Sequence, residues 1–392
     1  MHLIHIKTQW YMEEIGIMKH KGITVLALIV VLSGCTSASD NSEIDINDLS
    51  EQYSSEIRID ENSSIKVDAE VIVPQNPHLG VYSASFMDYD IEKVKSILLK
   101  DTDSEPETTT LKNGDIIYTW IGETERLSID KTSIWFESEL SDFILNVFLP
   151  PTRKGKTNAD LFSECDLDFC SRSEAIENVV YALSNMGIDV DPIPEVYSFT
   201  QSDLQSVKDL YEKDTSFYPF DTSLYPKAVD KTDECYYMTF NAQYNNTPLY
   251  NELLIYKTIN DFALGNPEIN VIYSSEGIRY LYVMDYRREV RLTDSVTKVI
   301  SAEEAAQKAL NKYNEVVTTS EVNFDTIKLM YVYTPINSGG HGSDQSTVKM
   351  SPAWVCSGTI VKTEKSKTGG DDVTVSEKVT VLIDAQTGVE II

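Results

Sequence analysis

Two stretches decide the fold: Ser171–Leu183 reads SRSEAIENVVYAL, and Ser301–Tyr313 reads SAEEAAQKALNKY. Each opens Ser-x-x-Glu and then carries an alanine. In such a box the serine oxygen accepts from the amide three residues on, and the glutamate reaches back. Ile176, Val179, Val180 and Leu183 in the first, and Ala306, Ala309, Leu310 and Tyr313 in the second, recur at helical spacing, one buried stripe per helix. β-like sequence follows both. After the first come PEVYSF, a further helical stretch DLQSVKDLY and the tyrosine-rich YYMTFNAQY; after the second come IKLMYVYT, PAWVCSGTIV and KVTVLIDAQTGVEII. The pattern predicts an α+β fold of antiparallel sheets with capped amphipathic helices, arranged as a repeat of helix plus strands. The competing reading is that capped helices are common and two will sometimes look alike.

Working outward, EINVIYSSEGIRYLYVMDY is two alternating runs around Ser275-Glu276-Gly277, a hairpin. Ile65, Val67, Ala69, Val71 and Val73 alternate with polar residues up to Pro74, which stops a half-buried strand. Asp90 is placed to cap a helix carrying Ile91, Val94, Ile97 and Leu98. Asn113-Gly114 marks a hairpin turn into DIIYTWI. SIWF and FILNVFL read as further strands, closed by Pro150 and Pro151. Asn337–Ser346 and Lys365–Asp372 are glycine-rich and polar, and read as hairpin tips. Expected units are an α+β domain over 61–150, a helix-plus-strand module over 158–230 and a larger α+β domain over 231–392.

The N-terminus points to export. Lys19, His20 and Lys21 precede an apolar stretch, Ile23–Leu32, too short to span a bilayer core of ~30 Å. It ends in Leu32-Ser33-Gly34-Cys35, a lipobox: small residues lie extended in a peptidase cleft, and the Cys35 thiol takes a thioether-linked diacylglycerol. Glu13 and Glu14 do not suit such a leader, so Met18 is the expected start. Residues 1–34 form the signal peptide and 35–60 a polar, acidic tether. The expected location is the outer face of the cytoplasmic membrane.

Losing residues 1–34, whose three lysines and two glutamates sum to +1, takes the formal charge from −29 to −30. Such a surface is repelled by nucleic acid, so a DNA or RNA partner is excluded; it suits basic partners or loosely held cations. Beyond Cys35, the cysteines Cys165, Cys170, Cys235 and Cys356 allow three disulfide pairings in an oxidising compartment. Cys165 and Cys170 are close enough in sequence for a local loop, and Cys235 and Cys356, in strand-like segments, equally serve as small buried apolar residues. Their spacing does not read as zinc.

Of the five histidines only His78 and His341 follow the lipobox. Chemistry that needs a positioned imidazole is therefore poorly served, and no phosphate-loop, dinucleotide or nucleophile-elbow motif occurs. Asp166 with Asp168, and Asp189 with Asp191, are alternating acids of the kind that hold calcium, but without the glycine and terminal glutamate of an EF-hand. No catalytic residue, cofactor or metal is expected. Two other readings stay open: a solute- or glycan-binding lipoprotein using Trp120, Trp135 or Trp354 in a cleft, and a carboxylate-dependent hydrolase.

The C-terminal stretch resembles PepSY-type domains through three elements. These are the helix opening Ser301-Ala302-Glu303-Glu304-Ala305, the strand element Pro352-Ala353-Trp354, and the closing hairpin Ile383-Asp384-Ala385-Gln386-Thr387-Gly388-Val389. With the YYMTFNAQYNNTPLY segment and the hairpin after it, residues 233–392 are similar to the YycH/YycI group of extracytoplasmic regulators. That resemblance implies a non-enzymatic regulator that binds a protein, either a membrane sensor kinase or a secreted peptidase. It carries over no catalytic residue. Lipid anchoring in place of a transmembrane helix departs from the pattern, and residues 61–150 have no counterpart in it.

Overall fold

The computed structural model describes residues 43–49, 56–99, 103–148, 164–213, 228–256, 262–314, 320–336, 347–364 and 373–391, less positions 63, 76 and 253. In chain order it first lays down β1 (Glu56–Asn62), β2 (Ile65–Ile72), β3 (Gly80–Ser85) and helix α1 (Ile91–Leu98). A meander follows: β4 (Glu107–Thr110), β5 (Ile116–Ile121), β6 (Glu125–Ile129) and β7 (Ser133–Ser138). Helices α2 (Glu139–Phe148) and α3 (Arg172–Asn185) come next, then β8 (Glu195–Phe199), α4 (Gln201–Lys213) and β9 (Cys235–Phe240). The hairpin β10 (Glu268–Ser274) and β11 (Gly277–Met284) leads to β12 (Glu289–Ser295) and α5 (Ala302–Asn314). Long strands β13 (Glu321–Pro335), β14 (Thr347–Glu364) and β15 (Val373–Asp384) and the short β16 (Glu390–Ile391) close the chain.

These strands build two large sheets. Sheet I runs β4-β5-β6-β7-β11-β10-β9-β8, every pair antiparallel. Sheet II runs β12-β3-β14-β13-β2-β1, with β15 beside β14 and β16 beside β15. Its β13–β2 pair is parallel. The α+β expectation therefore holds. The expected boundary at 150 is not a sheet boundary, because β1–β3 lie in sheet II whereas β4–β7 extend the sheet built by β8–β11. Residues Ser42–Ile392 form one compact unit.

Local signals explain most elements. The Asp90 carboxylate accepts from Lys93 N at 3.2 Å. Ser171 Oγ accepts from Glu174 N at 3.2 Å and Ser301 Oγ from Glu304 N at 3.0 Å, so both serine boxes start their helices where expected. Ala175, Val179 and Leu183 are buried, as are Ala305, Ala306, Ala309 and Leu310. β2 alternates buried and exposed residues along its whole length, the period of a half-buried strand. Gly114 (φ +92°) and Gly277 (φ +94°) supply the left-handed backbone of their hairpins.

One expectation fails. Phe143–Phe148 of FILNVFL, expected as a strand, lies in helix α2. An unbroken apolar run has no period to separate strand from buried helix, so the start signal decides. That signal is a pair of serines: Ser138 N donates to Ser141 Oγ at 2.8 Å and Ser141 N to Ser138 Oγ at 3.5 Å. The two hairpin tips at 337–346 and 365–372 lie outside the described residues.

The main core runs from Val67 and Val71 in sheet II to Leu127, Phe136 and Leu281 in sheet I. α1, α3 and α5 contribute to it through Val94, Val179 and Leu310. A second cluster on the opposite face of sheet I joins Phe143, Ile144 and Leu145 of α2 and Leu204 of α4 to Tyr237, Ile272 and Tyr280. A third, around Met330, Val332, Val355 and Leu382, covers the outer face of sheet II.

Candidate functional site

The cross-strand register of sheet I lines up one residue from every strand. Glu107 pairs with Thr119, Thr119 with Ser128, Ser128 with Trp135, and Trp135 with Tyr282. The row continues through Asn270 and Thr239 to Glu195. Directly paired residues share a face. This row therefore lies on the α2/α4 side of the sheet, and apart from the buried Asn270 it is less covered than the next row, where Tyr280, Ile272 and Tyr237 are buried. Thr119, Ser128, Trp135, Tyr282 and Thr239 are half-buried, and Glu107 and Glu195 are exposed.

The stripe is internally braced. Trp135 and Tyr282 meet edge to face with centroids 5.6 Å apart. Trp135 Nε1 donates to Glu137 Oε2 at 2.9 Å, and Arg126 lies 3.9 Å from the same carboxylate. Thr239 Oγ1 donates to Asn270 Oδ1 at 3.0 Å, and Asn270 Nδ2 donates to the exposed Glu268 at 2.7 Å. The Tyr197 hydroxyl donates to Glu195. Burial and the neighbouring Glu195 raise the Tyr197 hydroxyl above its ordinary pKa. The arrangement fixes two aromatic rings and a series of carboxylates on one face of the sheet.

Sequence reasoning singled out Trp135 but not its partners, because the row exists only once eight strands are in register. It also missed the point where the two sheets join. Asp285-Tyr286-Arg287-Arg288 carries the chain from β11 to β12, and Phe86–Tyr89 carries it from β3 to α1. The Arg287 guanidinium is sandwiched between Phe86 (4.4 Å) and Tyr333 (4.9 Å). Arg288 lies over Tyr89 at 4.9 Å and donates to Asp88 O at 2.9 Å. Desolvation raises the Asp285 carboxyl and lowers Arg287. A Cβ added to Gly265 would fall on the Asp285 carboxylate. The signal available was two adjacent arginines in a strongly acidic chain.

Leu32, Ser33, Gly34 and Cys35 lie outside the described residues, as does His341. His78 is exposed, and its carbonyl accepts from the Tyr331 hydroxyl at 3.4 Å. All four cysteines after Cys35 are free thiols. Cys235 and Cys356 are fully buried in different clusters, and burial pushes the Cys356 thiol up to about 12. Cys165 and Cys170 are half-buried around one hydroxyl: Tyr236 donates to Cys170 O at 2.8 Å and accepts from Leu167 N at 2.6 Å.

Trp120 and Trp354 are core residues, 3% and 0% exposed. Among the described residues no three His, Cys, Asp or Glu side chains gather as a metal site. Asp166 accepts from Arg172 N, Asp168 pairs with Lys231, and Asp191 accepts from Ile193 N.

The residues around Trp354 and Asp384 have a visible mechanical role. Trp354 Nε1 donates to Ile300 O at 3.0 Å, Ile300 N to Ala385 O at 2.7 Å, and Ala385 N to Pro352 O at 3.0 Å. The Asp384 carboxylate accepts from Gln386 N, Thr387 N and Thr387 Oγ1, and Gly388 (φ +67°) closes the turn. Together they tie the start of α5 to β14 and β15.

Fold and face together define an α+β protein of two large, mostly antiparallel sheets. No family model matches the chain, and neither does any curated protein. Among solved structures it is similar to an uncharacterised protein from Eubacterium rectale. The TM-score is 0.60 at 17% identity, over 88% of this chain and 97% of that one. At that identity the likeness is one of fold.

Proposed function

We propose that the chain is an exported lipoprotein that acts by contact as a non-enzymatic binding or regulatory module, with a protein as its partner. It is cut before Cys35 and held by a diacylglycerol thioether on the outer face of the cytoplasmic membrane. One observation carries the reading: the cationic flank and apolar stretch ending in Leu32-Ser33-Gly34-Cys35. The repeated PepSY-like modules, the likeness of 233–392 to YycH/YycI and a sensor kinase or secreted peptidase as partner belong to the same proposal. The shortage of histidine after the anchor and the half-exposed stripe on sheet I support binding over turnover.

Cys35→Ala tests the anchor. The variant is expected to lose lipid labelling and to accumulate as uncleaved precursor. Normal cleavage and membrane retention in that variant would overturn the proposal. Cross-linking on intact cells followed by mass spectrometry tests the partner, with reproducible recovery of one kinase or peptidase as the expected result.

A further inference from the structure

We infer that Glu43–Leu49 is a load-bearing strap between the lipid and the folded body. It makes the end of the molecule at Lys298–Ile300 the membrane-facing end, and it limits how far the body stands from the bilayer. The inference rests on the lipid anchor at Cys35 and adds the point at which that anchor grips the fold. Glu43, Ile44 and Asp45 pair antiparallel with Ile300, Val299 and Lys298. Ile46 N then donates to Thr297 O at 3.2 Å, and Asp48 N turns back to Asp45 O at 3.0 Å. Two apolar side chains seat the segment in the main core: Leu49 is inaccessible and Ile44 is 8% exposed. The exposed ion pair from Lys298 to Glu43, at 3.2 Å, adds little in water.

The strap holds a braced part of the body. Ile300, the cross-strand partner of Glu43, also donates to Ala385 O and accepts from Trp354 Nε1. A pull on the strap therefore passes straight to β14 and to the turn after β15. Chain length does the rest. Glu43 is eight Cα steps from Cys35, a span of at most about 29 Å. Without the strap the first residue held by a large sheet would be Glu56, and the reach from Cys35 would grow to about 76 Å. A chain of formal charge −29 is repelled by anionic headgroups, which drives the body toward whichever limit applies.

The test uses the full mature chain, purified from membranes and seated in a supported bilayer of phosphatidylcholine and phosphatidylglycerol at low ionic strength. Neutron reflectometry gives the mean stand-off of the body, and mass spectrometry of the same sample reads the diacylglyceryl group on Cys35. Two variants carry an inserted (Gly-Ser)5, one after Ser39 and one after Ser54. The first lengthens the chain between lipid and strap, and the second lengthens it behind the strap. Neither replaces a core residue. The first is expected to raise the stand-off by about 8 Å, the growth in root-mean-square length of a flexible chain from ~8 to ~18 links. The second is expected to change it by less than about 2 Å, because a docked strap leaves the added chain out of the load path.

An equal rise in both variants would mean that the strap carries no load, and would overturn the inference. No rise in either would mean that another surface holds the body against the bilayer, and would overturn it as well. A missing diacylglyceryl mass would remove the anchor and the inference with it. That failure is read from the mass alone, before any stand-off is measured.

Discussion

Two rows of sheet I lie one residue apart along seven of its eight strands and differ in burial. Trp120, Leu127, Phe136, Leu281, Val271, Met238 and Val196 pair across the sheet and are all buried, the five central ones completely inaccessible within the main core. Shifted by one, Thr119, Ser128, Trp135, Tyr282 and Thr239 stay half-exposed. The period of a strand is two, so a one-residue step is all that separates stability from a usable surface. The inner row specifies the fold. The outer row, only partly packed, carries rings, amides and carboxylates in fixed order.

The comparison can be broken most directly from the inside. Phe136 is 0% exposed and paired on both sides by leucines. Phe136→Ala is expected to cost about 3–5 kcal/mol in chemical denaturation, because the sheet cannot collapse into the space left. A loss below about 1 kcal/mol would mean that the inner row does not hold the sheet.

A second prediction separates the helix-covered part of the outer face from its open stripe. Burial pushes the Tyr237 hydroxyl from 10.0 up to about 12. Its folded-state pKa is raised, so the stability linked to it is complete below pH 10. That contribution is lost as pH rises through the folded value. The linkage amounts to about 2–3 kcal/mol, read as a fall in melting temperature between pH 10 and 12 that Tyr237→Phe makes shallower. An identical pH profile in the variant would place the hydroxyl in water.

How much of this was legible follows the same division. The capped helices α3 and α5, the alternating β2 and the β10–β11 hairpin were readable because their signals are local: a serine oxygen within three residues of its amide, a two-residue period, a glycine in a turn. Helix α2 was not, since Phe143-Ile144-Leu145 carries no period. The partition of strands between sheets was hidden too, because β4–β7 join β8–β11 through the single β7–β11 pairing, between residues far apart in sequence. Trp354 illustrates the limit for sites. The solute- or glycan-binding reading needed it exposed in a cleft, whereas it is fully buried and its Nε1 bond to Ile300 O makes it a structural post. Exposure depends on which neighbours fold over a residue, and composition does not record that.

The smaller effects sharpen the comparison from the outside. Trp135 is half-buried and packs against the edge of the second cluster. Trp135→Ala is therefore expected to cost only about 1–2 kcal/mol, less than half the Phe136 effect, by the same denaturation measurement. Glu195 sits at the far end of the stripe on an edge strand, exposed and bonded by a single tyrosine hydroxyl. Glu195→Gln keeps an acceptor for that hydroxyl and removes one of many like charges. Its stability is expected to stay within about 0.5 kcal/mol of the parent. The pair sets a graded test: if the outer row existed to stabilise the sheet, Trp135→Ala would match Phe136→Ala and Glu195→Gln would be felt. A steep fall in cost from inner row to outer row to edge is the result that assigns the two rows different work.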